Sequence, residues 1–418
     1  MSKNKPIYGQ ISGCQICADY NLKTVLSLGH QPIVQEYLAA SQLREPETTY
    51  PLNLCRCSNC GLLQLDYIVD PRLVFPKTYP YRTGLTNMLI RNFRALAEEL
   101  EKEYGINKGD LIVDIGSNDG TLLAGFKAKR MRVLGVEPTD AAKTAVKNGI
   151  PTIQDYFNKQ VAAKIVKKYG SAKIITATNA FAHINNVPAL VQSIKMLMDE
   201  RSVFVSESQY LMDIFENLEF DTIYHEHLRF YSLRSLDYLF KKFGMTLIDA
   251  ERISAAGGSI RVFAMKGKRP QSSRVRELIV AEEKIGLYEE AVWKKFSEKA
   301  LAAKNVLLEI LIQCKKEGAR IVGLTSPARS NTLLGFNKID GQFLDYCCEK
   351  KGSPKIGLFT PGTHIPVVDE EKLFKEQPEY ALVLSWHIGE ELMKLMRKFG
   401  YKGKFIIPLP KPRIVSNI

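Results

Sequence analysis

A chain of 418 residues exceeds what one ordinary core organises, so two or three domains are expected. Its 45% hydrophobic and 25% charged residues are those of a water-soluble globular protein, and no run approaches the roughly 18 apolar residues of a membrane span. The opening Met1-Ser2-Lys3-Asn4-Lys5-Pro6 lacks the apolar core of a secretory signal, which makes the cytoplasm the expected compartment, and the net charge of +13 is spread thinly, with no basic block marking a nucleic-acid arm.

The first feature in chain order is cysteine spacing. Of eight cysteines, five precede residue 61, as Cys14-Gln15-Ile16-Cys17 and Cys55-Arg56-Cys57-Ser58-Asn59-Cys60-Gly61. A C-x-x-C turn aims two thiolates at one point, and two such turns complete the tetrahedral sulfur shell that zinc prefers. Cys14, Cys17, Cys57 and Cys60 are the expected ligands, with Cys55 a competitor for the place of Cys57. Four sulfurs leave no open coordination position, so the zinc is expected to be structural. Cys314, Cys347 and Cys348 show no partner spacing.

Next comes a helical pattern from Leu85 to about Tyr104, carrying Leu89, Phe93, Leu96 and Leu100 on one face. Strands are expected at 111–115, 133–136, 152–153, 173–176 and 202–206. Helices are expected between them at 120–127, 140–148, 161–169 and 187–198. This alternation predicts a parallel sheet covered on both faces. After Met265 the polar, breaker-rich Gly267-Lys268-Arg269-Pro270-Gln271-Ser272-Ser273 marks a junction. A charged helical stretch, 276–316, then leads to the apolar strand 319–324, where a second nucleotide-binding-like α/β unit begins. The expected fold is therefore α/β in three parts: a small N-terminal zinc-binding module over 1–75, a central Rossmann-like domain over 76–266, and a C-terminal Rossmann-like domain over 267–418.

In such sheets ligands bind beyond the carboxyl ends of the strands, against helix N-termini. Val113-Asp114-Ile115-Gly116-Ser117-Asn118-Asp119-Gly120 crosses one such end, with Gly116 and Gly120 free to turn tightly and Ser117 and Asn118 between them. Asp114 can accept from an ammonium group, and Glu137, at the end of the next strand, can hold both ribose hydroxyls. The loop lacks the third, helix-packing glycine of G-x-G-x-x-G and reads D-x-G-x-x-x-G instead. That favours S-adenosylmethionine (SAM) over a dinucleotide. Asp155, with Tyr156 and Phe157, is expected near the adenine, the plain alternative being ordinary loop packing; Asn179 is expected beside the methionine moiety.

Six histidines exist, and two of them fall in Tyr224-His225-Glu226-His227. His183 is expected to face the same rim from the end of the fourth strand. An imidazole takes and holds a proton near neutral pH, as a general base must, and Glu226 is placed to orient or compensate it.

With these residues in view, the chain resembles the sugar C-methyltransferase family along nearly its whole length. The likeness rests on the two cysteine pairs, on Val113 to Gly120, on Tyr224-His225-Glu226-His227 through Tyr231-Ser232, on Asn331-Thr332-Leu333-Leu334, and on Thr360-Pro361-Gly362-Thr363-His364-Ile365-Pro366. The resemblance implies methyl transfer from SAM to C3 of a nucleotide-linked 4-keto-6-deoxy sugar, carried on TDP in the first instance, with GDP or CDP as alternatives. It implies His227 as the base, Tyr224, His183 and Tyr81 as oxyanion donors, and Glu226 as a tuning group. Tyr231, Arg329, Asn331 and His364 become candidate substrate contacts, with His364 and Thr363 equally readable as turn residues. One departure stands out: the family's Ala-Lys-Gly-Asn is Ala328-Arg329-Ser330-Asn331 here. Arginine keeps a charge for phosphate but is wider, and Ser330 loses the glycine's backbone freedom. The protein is expected to act as a monomer or homodimer, without nucleic acid or membrane. The competing expectation is an RNA or protein methyltransferase whose zinc module recognises a macromolecule.

Overall fold

The apolar run Leu111–Ile115 is buried at every position, as a strand covered on both faces requires, and forms strand β1 of a seven-stranded sheet. The computed structural model describes residues 8–79, 82–85 and 87–416. Strands β2 (Arg132–Val136), β3 (Thr152–Ile153), β4 (Ala172–Thr178), β5 (Met198–Gln209), β6 (Met245–Ile253) and β7 (Ser259–Lys266) complete the sheet. Their spatial order is β3-β2-β1-β4-β5-β7-β6. Strands β1 to β5 are mutually parallel, while β7 runs antiparallel to both β5 and β6. The dinucleotide-binding order is 3-2-1-4-5-6. Here the short turn after Ile253 returns the chain as a hairpin, which must pair antiparallel, and so slots β7 between β5 and β6.

The expected alternation of strand and helix is present through β5. Helices Asn87–Tyr104, Thr121–Ala128, Ala141–Lys147, Lys159–Tyr169 and Val187–Leu197 intervene. Local signals set their ends: the Asn158 side chain accepts from the Val161 amide at 3.0 Å to open one helix, and Gly170 closes it.

The N-terminal module is a small antiparallel sheet of Leu22–Gln31, Tyr50–Cys57 and Leu63–Leu65, and its fourth strand, Arg229–Phe230, comes from the central domain. Arg229 pairs with Gln64 and Phe230 with Leu63. The C-terminal sheet is ordered Val367–Asp369, Cys347–Glu349, Ile321–Leu324, Tyr380–Val383, Lys404–Ile407, Arg413–Val415. Numbered along its own segment, that is 3-2-1-4-5-6, a doubly wound arrangement with an antiparallel last strand.

The expected junction after 266 falls between β7 and helix Ser273–Lys284. That helix nevertheless packs on the central domain: Glu282 Oε1 accepts from the Tyr210 hydroxyl at 2.8 Å and from the Leu233 amide at 2.7 Å. Among the described residues no helix is long and apolar enough to cross a membrane.

Candidate active site

The metal cluster is built first by sequence-local turns. The thiols of Cys14, Cys17, Cys57 and Cys60 lie within 4.8 Å of one another. Cys14 meets Cys60 at 3.5 Å and Cys17 meets Cys57 at 3.4 Å, while the Ile16 amide points at Cys14 Sγ from 3.4 Å. Zinc–sulfur bonds of ~2.3 Å put the edges of a sulfur tetrahedron near 3.8 Å, so these four thiols fit zinc and would hold it as a closed, structural ion. Cys55 is not a ligand. It faces Thr24 at 3.8 Å, and burial pushes its thiol up to about 11.

Beyond the carboxyl ends of β1, β2, β4 and β5 lies a cavity of about 1030 Å³, lined by residues of all three domains. Single small-ligand sites span roughly 300–1,000 Å³, so this one has room for a donor and an acceptor together.

The loop after β1 forms the floor of the donor half. Asp114, Gly116, Ser117, Asn118, Glu137 and Asn179 all line it, whereas Gly120 sits behind the loop as the N-cap of helix Thr121–Ala128. Burial raises the Asp114 carboxyl to about 7, with the nearby Glu137 charge adding to the effect and a 2.7 Å bond from the Thr176 hydroxyl opposing it. Glu137 accepts from the Asn118 amide at 3.0 Å and, at its other oxygen, from the Thr139 amide at 2.9 Å and the Thr139 hydroxyl at 2.6 Å. The loop and the end of β2 are thereby locked to each other before any ligand enters. The buried hydroxyl of Ser117 has no partner, a group that a ligand could satisfy. Gly116, at φ +73°, lies so close to Ala180 that a β-carbon there would stand 2.6 Å from the Ala180 β-carbon. Gly116→Ala is therefore expected to lose about 1–3 kcal/mol for the left-handed backbone alone, and more from the clash. Thermal unfolding and SAM titration should show a lower midpoint and weaker binding; an unchanged pair of values would refute the tight-turn reading.

The acceptor half gathers the reactive cluster. His227 Nδ1 stands 2.7 Å from the Thr222 carbonyl oxygen, an atom that only accepts, so Nδ1 carries the proton and Nε2 keeps its lone pair. The His183 ring stacks on His227 at 4.9 Å between centroids, and the Tyr224 ring lies at 4.0 Å. Glu226 accepts from the Tyr79 hydroxyl at 2.8 Å, while its other oxygen is buried without a partner. Burial lowers His227 to about 4 and raises Glu226 to about 7. His183 is also driven well down, by burial first and by its histidine neighbour second. Both imidazoles are therefore neutral at pH 7. His225 faces away, its Nε2 3.2 Å from the Pro51 carbonyl.

Several expected residues are placed elsewhere. Asp155 is exposed and turned onto the Tyr156 amide at 2.8 Å; Tyr156 and Phe157 line the cavity without it. Tyr231 is fully buried, with its hydroxyl accepting from Arg229 Nε at 2.8 Å. Asn331 donates to the Val34 carbonyl at 2.7 Å, tying the C-terminal domain to the N-terminal module. His364 Nε2 pairs with Glu47 at 2.9 Å, as does the Gly362 amide, so one carboxylate ties both ends of this turn. Arg329 is buried against Asp221 and Glu219. None of these five lines the cavity: Tyr231, Asn331, His364 and Arg329 are engaged by other side chains or carbonyls of the fold, with Asn331 Oδ1 left buried without a partner, and Asp155 turns to the next amide. Tyr81 lies outside the described residues.

Conversely, Tyr79, Gln209 and Lys355 line the cavity and were not picked out from the sequence. Tyr79 stands two residues before Tyr81, a signal that was available. Nothing in the sequence marks Lys355, whose Nζ donates to the Ser326 carbonyl at 2.6 Å and sits over the Tyr37 ring at 4.9 Å.

Behind the histidines runs a connection to the metal. Gln15, between the first two cysteines, donates to the Leu228 carbonyl at 3.2 Å and accepts from Arg229 Nη1 at 2.7 Å. Arg229 Nη2 donates to the Phe181 and Ile184 carbonyls, at 2.8 and 2.5 Å, which bracket His183. The zinc module thus holds both histidine-bearing segments.

Comparison with known proteins agrees with this division of labour. Residues 14–75 match a family described as a zinc binding domain, 88–250 one described as a methyltransferase domain, and 254–410 one described as a C-methyltransferase C-terminal domain. The C-methyltransferase NovU of Streptomyces niveus is 29% identical over 410 residues, covering 97% of each chain. Two solved structures align with less than half of the chain. Magnesium protoporphyrin IX methyltransferase from Synechocystis is 12% identical, covering 43% of this chain and 83% of that one, with TM-score 0.34. A SAM-dependent methyltransferase from Anabaena variabilis is 15% identical, covering 41% and 84%, with TM-score 0.32. A zinc-bearing module, a methyl-donor domain and this C-terminal partner define a SAM-dependent C-methyltransferase. The chain is homologous to NovU along nearly its whole length.

Proposed function

We propose that this enzyme transfers the methyl group of SAM to C3 of a nucleotide-linked 4-keto-6-deoxy sugar, through an enolate formed by His227. The observation that carries the reading is the His227 imidazole: its tautomer is set by the Thr222 carbonyl, in a two-ligand cavity lined by the donor loop. Only a C–H bond next to a carbonyl is acidic enough for a base of histidine strength, which is why a keto sugar suits the site.

In this scheme Nε2 of His227 takes the C3 proton as the C–H electrons move toward the C4 oxygen. Tyr224 and neutral His183 lie beside the base, where their hydroxyl and ring N–H donate to the developing oxyanion, and Tyr81 is the third donor that the resemblance implies. The enolate carbon then attacks the methyl carbon carried by the donor, whose thioether leaves as S-adenosylhomocysteine. The proton on His227 passes to solvent, so one C–H is exchanged for one C–CH3. Glu226 compensates the imidazolium in between. The carrier we favour is TDP, with GDP and CDP next, and Lys355 with the start of helix Ala328–Asn337 is the diphosphate end of the cavity. The same geometry speaks against the macromolecular reading, because the zinc module is built into the catalytic domain by the Arg229–Phe230 strand. Incubation with keto sugars generated on TDP, GDP and CDP should give a mass gain of one methyl for at least one carrier. No gain on any of them, with SAM bound, would sink the sugar assignment.

A further inference from the structure

Arg329, where the family resemblance places a phosphate-binding lysine, has a different set of partners in this chain. It is the second residue of helix Ala328–Asn337, and its guanidinium is buried. Nε donates to Asp221 Oδ2 at 2.9 Å, and Nη2 donates to Asp221 Oδ1 at 2.7 Å and to Glu219 Oε2 at 3.1 Å. The guanidinium also lies over the Trp386 ring at 5.1 Å, and Trp386 Nε1 donates to the same Asp221 carboxylate at 2.8 Å. A β-carbon on Gly257 would meet the Glu219 carboxylate at 3.1 Å and Arg329 Nη1 at 3.3 Å, so the β6–β7 turn closes the pair off from solvent.

Asp221 sits in the middle of the 3₁₀ turn Phe220–Thr222, one residue before the carbonyl that fixes His227. The same helix holds the far side of this turn, where the Thr332 hydroxyl donates to the Ile223 carbonyl at 3.2 Å. The near side is held by the Thr222 hydroxyl, which donates to Gln209.

We infer that Arg329 is a positioning residue for the base: through its forked grip on Asp221, the C-terminal domain sets the Thr222 carbonyl that aims His227 Nε2 at the substrate. This rests on His227 being the base in the proposed function. The fork explains arginine in particular, since a planar guanidinium matches one carboxylate with two parallel bonds and keeps a donor for a second, whereas a lysine ammonium is a point charge. A misplacement of about 1 Å at a reacting group can cost on the order of 10²-fold in rate, so the effect should fall on kcat.

Three variants test this: Arg329→Met, Arg329→Lys and Asp221→Asn. Arg329→Met leaves two buried carboxylates unmatched and is the variant at risk of misfolding. Asp221→Asn keeps the shape of the site and leaves Arg329 balanced one-to-one by Glu219, so it stays interpretable. The expected result is a kcat lower by roughly 10- to 100-fold in Asp221→Asn and Arg329→Met, with partial recovery in Arg329→Lys and little change in the KM of the nucleotide sugar. Exchange of the C3 hydrogen in heavy water, with S-adenosylhomocysteine in place of SAM, should slow in the same proportion. Nitrogen-15 spectra of the histidine rings should show the Nδ1–H form of His227 in the wild type and a mixture of tautomers in Asp221→Asn. A raised KM with unchanged kcat would make Arg329 a substrate contact and overturn the inference. So would Asp221→Asn protein with wild-type exchange and wild-type ring spectra. Absence of exchange in the wild type would instead strike the proposed function itself, while the ring spectra would still report on the Arg329 linkage.

Discussion

His227→Ala is expected to lower methyl transfer by ~10²- to 10⁴-fold, the range a positioned general base supplies, while SAM binds nearly as in the wild type. The separation follows from the layout of the cavity. The donor floor is made by the loop after β1 and by Glu137, which bond to each other and not to His227. His227 is held instead by the Thr222 carbonyl, beyond the end of β5. Its pH signature should be equally specific. Burial brings Glu226 to about 7, so as pH falls through that value the carboxylate takes up a proton, and the negative charge that the proposed scheme sets against a nascent imidazolium disappears. Activity is expected to decline on that acid limb. In Glu226→Gln the limb should move down toward the value of about 4 to which burial lowers His227, at a reduced plateau. Turnover of the alanine variant at the wild-type rate would remove the base assignment; an acid limb that stays put in Glu226→Gln would remove the role given to Glu226.

The second large effect concerns the metal, although no sulfur ligand approaches the cavity. Removing zinc, or replacing Cys57 or Cys60 by serine, is expected to abolish activity and to unfold the first module. Structural zinc contributes about 10–16 kcal/mol in isolated finger peptides at neutral pH, far more than a small three-stranded sheet could replace by packing. Cys57 and Cys60 deliver the chain into strand Leu63–Leu65, which pairs with Arg229–Phe230 two residues beyond His227. Gln15, fixed between Cys14 and Cys17, grips Leu228 and Arg229, and Arg229 in turn holds the carbonyls on either side of His183. Loss of the ion therefore releases both histidines together. Elemental analysis of fresh protein should find near-stoichiometric zinc, and activity should fall in step with metal content under chelation. Metal-free protein that still turns over normally would contradict this linkage. Cys55→Ser serves as the control, since Cys55 lies outside the sulfur cluster and should lose little.

Sequence by itself determined the parts of this protein whose physics is local. A C-x-x-C turn brings two thiols together whatever surrounds it, so Cys14, Cys17, Cys57 and Cys60 were identifiable from spacing, and the geometry places all four in one cluster and leaves Cys55 out. A strand that ends in Asp114-Ile115-Gly116 and turns into a helix builds a loop from adjacent residues, so the place of that loop and of Glu137 at the carboxyl edge of the sheet, where the cavity lies, was legible too. So was the alternation that gives two doubly wound sheets. The hairpin of β6 and β7 was not, because its place between the other strands depends on pairing partners far away in the chain.

Tertiary structure alone decided which charged and polar residues are free to act. Arg329, Asn331, His364 and Tyr231 carry the right chemistry for a nucleotide sugar, but each has found its partner in the fold, Arg329 across more than a hundred residues of sequence. Lys355 and Gln209 have no motif, and reach the cavity only because the ends of separate strands and turns converge there. Burial and charge pairing are long-range outcomes of packing, and a spacing rule cannot see them. The same packing turned a zinc knuckle and an arginine of the third domain into supports for two histidines of the second.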